Sequence, residues 1–271
     1  MLAGMSESPP RVIVSVDAGV AEVRLNRPDK RNGLDLAMFE ALVAAGRQVA
    51  ADRTVRAVVL HGEGKAFCAG LDWAAFLAAP EIGPKLLERG AGAAANLAQL
   101  ACWIWHEVPV PVIAAIHGAA IGGGLQLALA CDIRLAAADA QLAVMELRYG
   151  LIPDMSLSKT LLRLVRSDIA RELIYTARSV SGDEAARLGL VTRVEADPLG
   201  AARELARTIA GQSPQAVRAA KALCNEAPEL DTAAAFRRET ELQLPLLGSE
   251  NQAEAVRAVF ERRAPVFRDA E

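Results

Sequence analysis

Aromatic side chains are scarce in this chain, only 4 % of 271 residues against an apolar fraction of 52 %. Ala, Val and Leu must therefore build the core, and the length suffices for one large domain. Histidine occurs three times, at His61, His106 and His117, and His106-Glu107 lacks the second histidine of a metalloprotease helix. The four cysteines, Cys68, Cys102, Cys131 and Cys224, have spacings that suit neither a zinc site nor a C-x-x-C redox pair. All four stand among small or apolar residues and are expected as buried free thiols in a reducing cytoplasm, with no metal bound. The net charge of -3 gives no electrostatic reason to expect nucleic acid or an anionic membrane as partner. No apolar run reaches the roughly 18–20 residues of a membrane span. A G-x-G-x-x-G fingerprint is missing too, and Gly62-Glu63-Gly64-Lys65 lacks the spacing and trailing Ser/Thr of a phosphate loop.

What remains is organised in three stretches. Residues 1–10 lack the basic-then-apolar order of a signal peptide and are expected as a flexible tail. Residues 11–197 read as a mixed α/β core. Apolar runs around Asp17-Ala18-Gly19 predict a β-hairpin, Asp35 predicts the N-cap of a helix to about Ala51, and Val55–His61 predicts the next strand. Helices are expected over 72–77 and 84–105, strands over 111–116, 133–136 and 141–144, and a short helix where Ser181 and Glu184 have capping-box spacing. Residues 198–271 read as wholly helical, over 198–211, 214–224, 231–244 and 249–263, a layout suited to packing against a neighbouring subunit.

Glycines mark the chemistry. The strand Pro111–Ile116 leads into Gly122-Gly123-Gly124, which opens an apolar helical segment, Leu125–Ala130. Without Cβ atoms the backbone can approach a ligand closely, and the first N–H groups of a helix have no intrahelical partner. Such a place suits an oxygen that turns negative during a reaction. Upstream, Ala66-Phe67-Cys68-Ala69-Gly70-Leu71-Asp72 is a second glycine-gated junction.

These segments resemble the crotonase superfamily, the enoyl-CoA hydratases and isomerases. Asn26-Arg27-Pro28 to Asn32 is similar to its L-N-R-P-x-x-x-N segment, FCAGLD to its A-F-x-A-G-x-D loop and HGAAIGGG to its G-x-x-x-G-G-G junction. SGDEAARLGLVTRV and Ser213–Lys221 resemble its later S-A-x-E-A-x-x-x-G-L-V and S-P-x-A-x-x-x-x-K elements, in the same order. The resemblance implies a crotonase-like spiral of ββα units, with a C-terminal helical region that assembles trimers or dimers of trimers. It implies no cofactor, since coenzyme A belongs to the substrate. It also implies an oxyanion hole from the backbone amides of Leu71 and Gly123, each donor worth roughly 2.7–4 kcal/mol in the transition state.

The hydratases in this family use two glutamates. Here the first position holds Gln126 and the second Glu146. An amide cannot act as a carboxylate base, so this departure weakens the case for water activation by a carboxylate pair. Asp154 stands instead at a spacing from Glu146 that resembles the dienoyl-CoA isomerases, although that subgroup also has an acid at position 126. Two readings of Asp154 stand, a second acid/base or the N-cap of the helical run from Ser156. The expected reaction is double-bond isomerisation in an unsaturated acyl-CoA, with Glu146 as proton shuttle. The alternatives are 2-enoyl-CoA hydration by Glu146 with Gln126 orienting water, and acyl-CoA binding with little turnover. For coenzyme A the candidates are Arg27, Lys30 and Arg31 in an early basic loop, and Phe260, Phe267 and Arg268 near the C-terminus. Ala66, Ala69 and Asp72 are added by resemblance. Trp73, Trp103 and Trp105 either shape an acyl pocket or pack the core.

Overall fold

A computed structural model of the chain describes residues 9–270, so most of the expected N-terminal tail lies outside the described residues. β1 (Val12–Asp17) and β2 (Val20–Leu25) form the antiparallel hairpin. Ala18 and Gly19 both take positive φ, 47° and 79°, the geometry that lets a two-residue turn follow the strand twist. α1 (Leu36–Ala51) begins where Asp35 accepts the Met38 N–H at 2.9 Å. β3 (Ala57–Gly62) then runs parallel to β2.

α2 (Trp73–Ala78) falls on the helix expected over 72–77, but the next stretch departs from its sequence reading. Instead of one helix over 84–105, the chain forms α3 (Ile82–Leu87) and α4 (Leu97–Glu107). Residues 88–96 interrupt it, with Gly92 at φ +75°, and α4 restarts on a reciprocal capping box between Asn96 and Gln99.

Two ββα turns follow. β4 (Val112–Ile116) lies in the large sheet, β5 (Ala119–Ile121) in a small one, and α5 (Gly123–Leu129) closes the turn. β6 (Ile133–Ala136) and β7 (Gln141–Ala143) repeat the step before a 3-10 turn at Glu146–Tyr149 and α6 (Leu157–Leu164). β3 makes a reduced version of the same step, because Cys68 beyond it bridges Ala120 of the small sheet. α7 (Ser167–Thr176), β8 (Ser179–Ser181), α8 (Gly182–Leu188) and β9 (Arg193–Val194) complete the core. The large sheet is ordered β1-β2-β3-β4-β6-β9, parallel after the hairpin, and the small one β5-β7-β8. This is the expected mixed α/β spiral of ββα units.

Ala, Leu and Val dominate the packing, as the scarcity of aromatics requires. β3 and β4 are buried along their whole length, and α9 (Pro198–Ala210) covers one face through Ala202 and Ala206 against Ala57, Val59 and Ile113. α10 (Pro214–Glu226) sends Lys221 into the interior. There it donates to Asp132 at 2.7 Å and to the carbonyls of Val110 and Trp105 at 3.0 and 3.3 Å. Burying an ammonium is tolerable only with such partners. α11 (Thr232–Gln243) and α12 (Glu250–Glu261) bury little, and Phe236, Val259 and Phe260 stay exposed. Three cysteines are buried, but Cys224 is exposed, correcting the expectation for that residue. Among the described residues no helix is long and apolar enough to cross a membrane, and no cluster of His, Cys, Asp or Glu could hold a metal ion.

Candidate active site

The loop after β3 is held from behind. Asn32, fully buried, donates to the carbonyls of Ala66, Glu63 and Phe67 at 2.8, 3.0 and 3.2 Å. Leu34 then pairs with the loop as in a parallel ladder: its N–H donates to Gly70 O at 2.8 Å, and its carbonyl accepts the Asp72 N–H at 3.0 Å. That alternation turns the Leu71 N–H away from Leu34. On the facing segment Gly122 has φ +54° and donates to Ala143 O, so Gly123 opens α5 with its own N–H free of the helix. Among the described residues neither the Leu71 nor the Gly123 amide donates to a protein acceptor.

The two segments touch through glycines. A Cβ on Gly124 would stand 2.2 Å from Cys68 O, and one on Gly70 would stand 2.5 Å from Ile121 O and 3.6 Å from Gly123 N. Only bare backbone lets the helix start and the loop approach this closely.

The acids converge on the same place. Glu146 begins the 3-10 turn, and Gln126 Nε2 donates to its Oε1 at 2.6 Å. Gln126 Oε1 in turn accepts the Met155 N–H at 2.9 Å. Glu146 Oε2 is buried without a hydrogen-bond partner. Burial raises the pKa of Glu146 above the usual glutamate range; the Gln126 hydrogen bond opposes that shift and the neighbouring Asp154 carboxylate adds to it. Asp154 is also pushed up by burial. It caps no helix, because α6 has Ser156 at its N-cap without a side-chain bond, so the capping reading of Asp154 is set aside. Gln126 is 1 % exposed with both amide ends engaged by the protein, and it is not among the residues that line the cavity.

A cavity of about 510 Å³ collects these groups: Gly70, Leu71, Gly122, Gly123, Glu146 and Asp154 line it. Its other walls are apolar, from Phe39, Phe76, Leu86, Leu87, Met145 and Met155. Trp73 and Tyr149 meet at its edge with ring centroids 4.5 Å apart. Of the three tryptophans Trp73 alone lines the cavity; Trp105 is fully buried and Trp103 stacks on His106. The sequence pattern α-helical over 72–77 held the signal for Trp73, but nothing local separates it from Trp105.

The sequence profile of the enoyl-CoA hydratase/isomerase family matches residues 15–270. The chain belongs to this family. YngF of Bacillus subtilis (strain 168) is 36 % identical over 252 residues, covering 92 % of this chain and 94 % of YngF. A mitochondrial Delta(3,5)-Delta(2,4)-dienoyl-CoA isomerase of Mus musculus is 35 % identical over 223 residues, 77 % of this chain and 66 % of that protein. The crystal structure of an enoyl-CoA hydratase from Bacillus anthracis superposes with a TM-score of 0.87 at 32 % identity, covering 95 % of this chain and 98 % of that one. Membership in the enoyl-CoA hydratase/isomerase family supports action on acyl-CoA thioesters. Hydratase and isomerase names both occur among the similar proteins, so the site must decide between them.

Around this enoyl-CoA hydratase/isomerase site the expected coenzyme A residues separate into groups. Arg27 donates to Asp72 at 2.7 Å and Gly33 O at 3.0 Å and lies 3.4 Å from Asp35, so its guanidinium is held by protein partners rather than presented as a phosphate ligand. Asp72 accepts from Arg27 and caps α2 through the Ala75 N–H. Burial raises its pKa, but these bonds outweigh it and hold the carboxyl below its usual range. Lys30 and Arg31 are exposed on the neighbouring turn. Ala69 lines the cavity, whereas Ala66 is buried behind it. Phe267 and Arg268 lie elsewhere, on a strap tied to Arg56 and Asn251, and Arg268 pairs with Glu250. Phe260 projects from α12, 84 % exposed.

Proposed function

We propose that this enzyme shifts a carbon–carbon double bond within an unsaturated acyl-CoA. The Leu71 and Gly123 amides hydrogen-bond the thioester oxygen as it gains charge, and the Glu146 carboxylate takes a proton from one carbon of the acyl chain. The electron pair of that C–H bond enters the conjugated enolate. Glu146 returns that proton at the far carbon. If a protonated Asp154 supplies it instead, the proton held by Glu146 must pass back to Asp154 before the next turnover, so the substrate is isomerised with no net proton change. The observation that carries this reading is Glu146 itself: one carboxylate oxygen tied to an amide, the other buried and unpartnered, and the second acid of the cavity at Asp154 rather than at position 126. The apolar walls suit a hydrocarbon acyl group.

The test is turnover of 2-enoyl-, 3-enoyl- and 3,5-dienoyl-CoA esters followed across pH. Isomerisation is expected, with the acidic limb of kcat above the ordinary glutamate value of 4.5, because Glu146 must lose its proton and burial resists that loss. Hydration of the 2-enoyl ester alone rejects this reading in favour of hydration by Glu146, and ester binding without turnover rejects both.

We further propose a homotrimer or dimer of trimers assembled through residues 198–271, with Lys30, Arg31 and a neighbour's Phe260 available to coenzyme A, in the cytoplasm. The exposed apolar side chains of α11 and α12 support this, since Phe236, Val259 and Phe260 are 62 %, 76 % and 84 % exposed. Light scattering is expected to give three or six times the chain mass of 28.6 kDa; a monomer rejects the assembly.

A further inference from the structure

Gln126 lies behind the cavity wall, yet its side chain reaches the supports of both acids. Oε1 accepts the N–H of Met155, the peptide group joined to Asp154, at 2.9 Å, and Nε2 donates to Glu146 Oε1 at 2.6 Å. A peptide N–H only donates, so the amide cannot be turned round, and its NH2 end must face the carboxylate. We propose that Gln126 is the positioning residue of this site: one buried amide fixes the rotamer of Glu146 and sets its spacing from Asp154.

The inference rests on reading Glu146 as the proton carrier. A glutamate carboxylate sits at the end of three torsions, and proton transfer requires the reacting atoms within about 3–3.5 Å. Oε1 is held by Gln126 and lies 3.2 Å from where a Cβ on Gly122 would be, and Oε2 is the oxygen without a protein partner. Because the same amide grips the 154–155 peptide, any movement of Asp154 is communicated to Glu146. A glutamate at position 126 would place a second carboxyl at hydrogen-bond distance, and the pair could then hold its bonds only by sharing a proton. Asp154 acts on Glu146 through its charge, and the buried Cys102 thiol feels the charge of both acids.

Two variants test this. Gln126→Met keeps the length and volume and removes both hydrogen bonds. Gln126→Glu keeps the shape and, while protonated, both bonds. Each is followed by kcat and KM against pH, and by 13C NMR titration of the Glu146 carboxyl, assigned with Glu146→Gln. Gln126→Met is expected to lower kcat by about 10- to 100-fold with KM little changed, and to move the Glu146 titration upward. Gln126→Glu is expected to recover kcat on the acid side only. A Gln126→Met enzyme with wild-type kcat, pH profile and titration overturns the inference. So does an equal loss in both variants at every pH with the titration unmoved, which is the signature of packing alone. Should Gln126→Met fail to fold, the acid-side recovery of Gln126→Glu decides. A wild-type enzyme that turns over none of the esters fails the functional reading instead, and the NMR titration still judges the clamp.

Discussion

Replacing Glu146 by glutamine is expected to lower kcat by about 100-fold or more while KM changes little. The two side chains have the same shape, so the cavity that binds the acyl group stays intact. The new amide oxygen can still accept from Gln126 Nε2, which preserves the clamp. What disappears is the ability to take a proton, because an amide has no carboxylate form. The loss should therefore fall on the chemical step and not on binding. The pH profile gives an independent check. Wild-type kcat rises as Glu146 ionises, above the ordinary glutamate range because burial disfavours the charged form; in the variant that acidic limb should vanish. Stopped assays with the best ester of the panel measure both. An unchanged rate removes Glu146 from the mechanism, and an equal rise in KM without a fall in kcat would make it a binding group.

How far the sequence carried this conclusion depends on the range of each interaction. Helix starts were legible where the capping group lies three residues from the amide that it satisfies. Asp35 to Met38 and Ser181 to Glu184 are such pairs, although Glu184 reaches Arg178 instead of closing the box. Strands β5, β8 and β9, two or three residues each, carry too little local pattern and exist because partners elsewhere accept their hydrogen bonds. The split between α3 and α4 falls where Gly90 and Gly92 disfavour helix, and Asn96 and Gln99 carry the capping-box spacing that restarts it.

The site shows the same division. Leu71, Gly123, Glu146 and Asp154 could be picked out by motif, and they line one cavity. Gln126 could be picked out only as a missing carboxylate. Its use follows from the Met155 N–H, 29 residues away, which fixes the amide and aims its donor at Glu146. The engagement of Arg27 was hidden for a similar reason, since its partner Asp72 is 45 residues distant. Sequence spacing reveals what a residue can do, and tertiary contacts decide whether it is free to do it.

The second large effect is expected at Gly70. Gly70→Ala should lower kcat by about 100-fold or more, through the backbone and not through any acid. Two penalties act together. Gly70 has φ +82°, which costs an alanine about 1–2 kcal/mol. The new methyl would also stand 2.5 Å from Ile121 O, a backbone atom that cannot swing aside. The strain is relieved only by moving the 66–72 loop away from the start of α5, and that movement separates the Leu71 and Gly123 amides. Overpacking of this kind typically costs about 1–3 kcal/mol, so the sum is a modest part of the 5–15 kcal/mol that holds a domain together and the variant should fold. Misalignment of one donor alone is worth about 10²–10³ in rate. Gly90→Ala is the matched control, since a Cβ there meets nothing within 4 Å and Gly90 lies outside the cavity wall. It should keep wild-type activity. Thermal melts of both variants separate stability from catalysis. A Gly70→Ala enzyme with a lowered melting temperature and full activity would mean that the loop can shift without disturbing the chemistry, and the two amides would then not be the groups that receive the enolate oxygen.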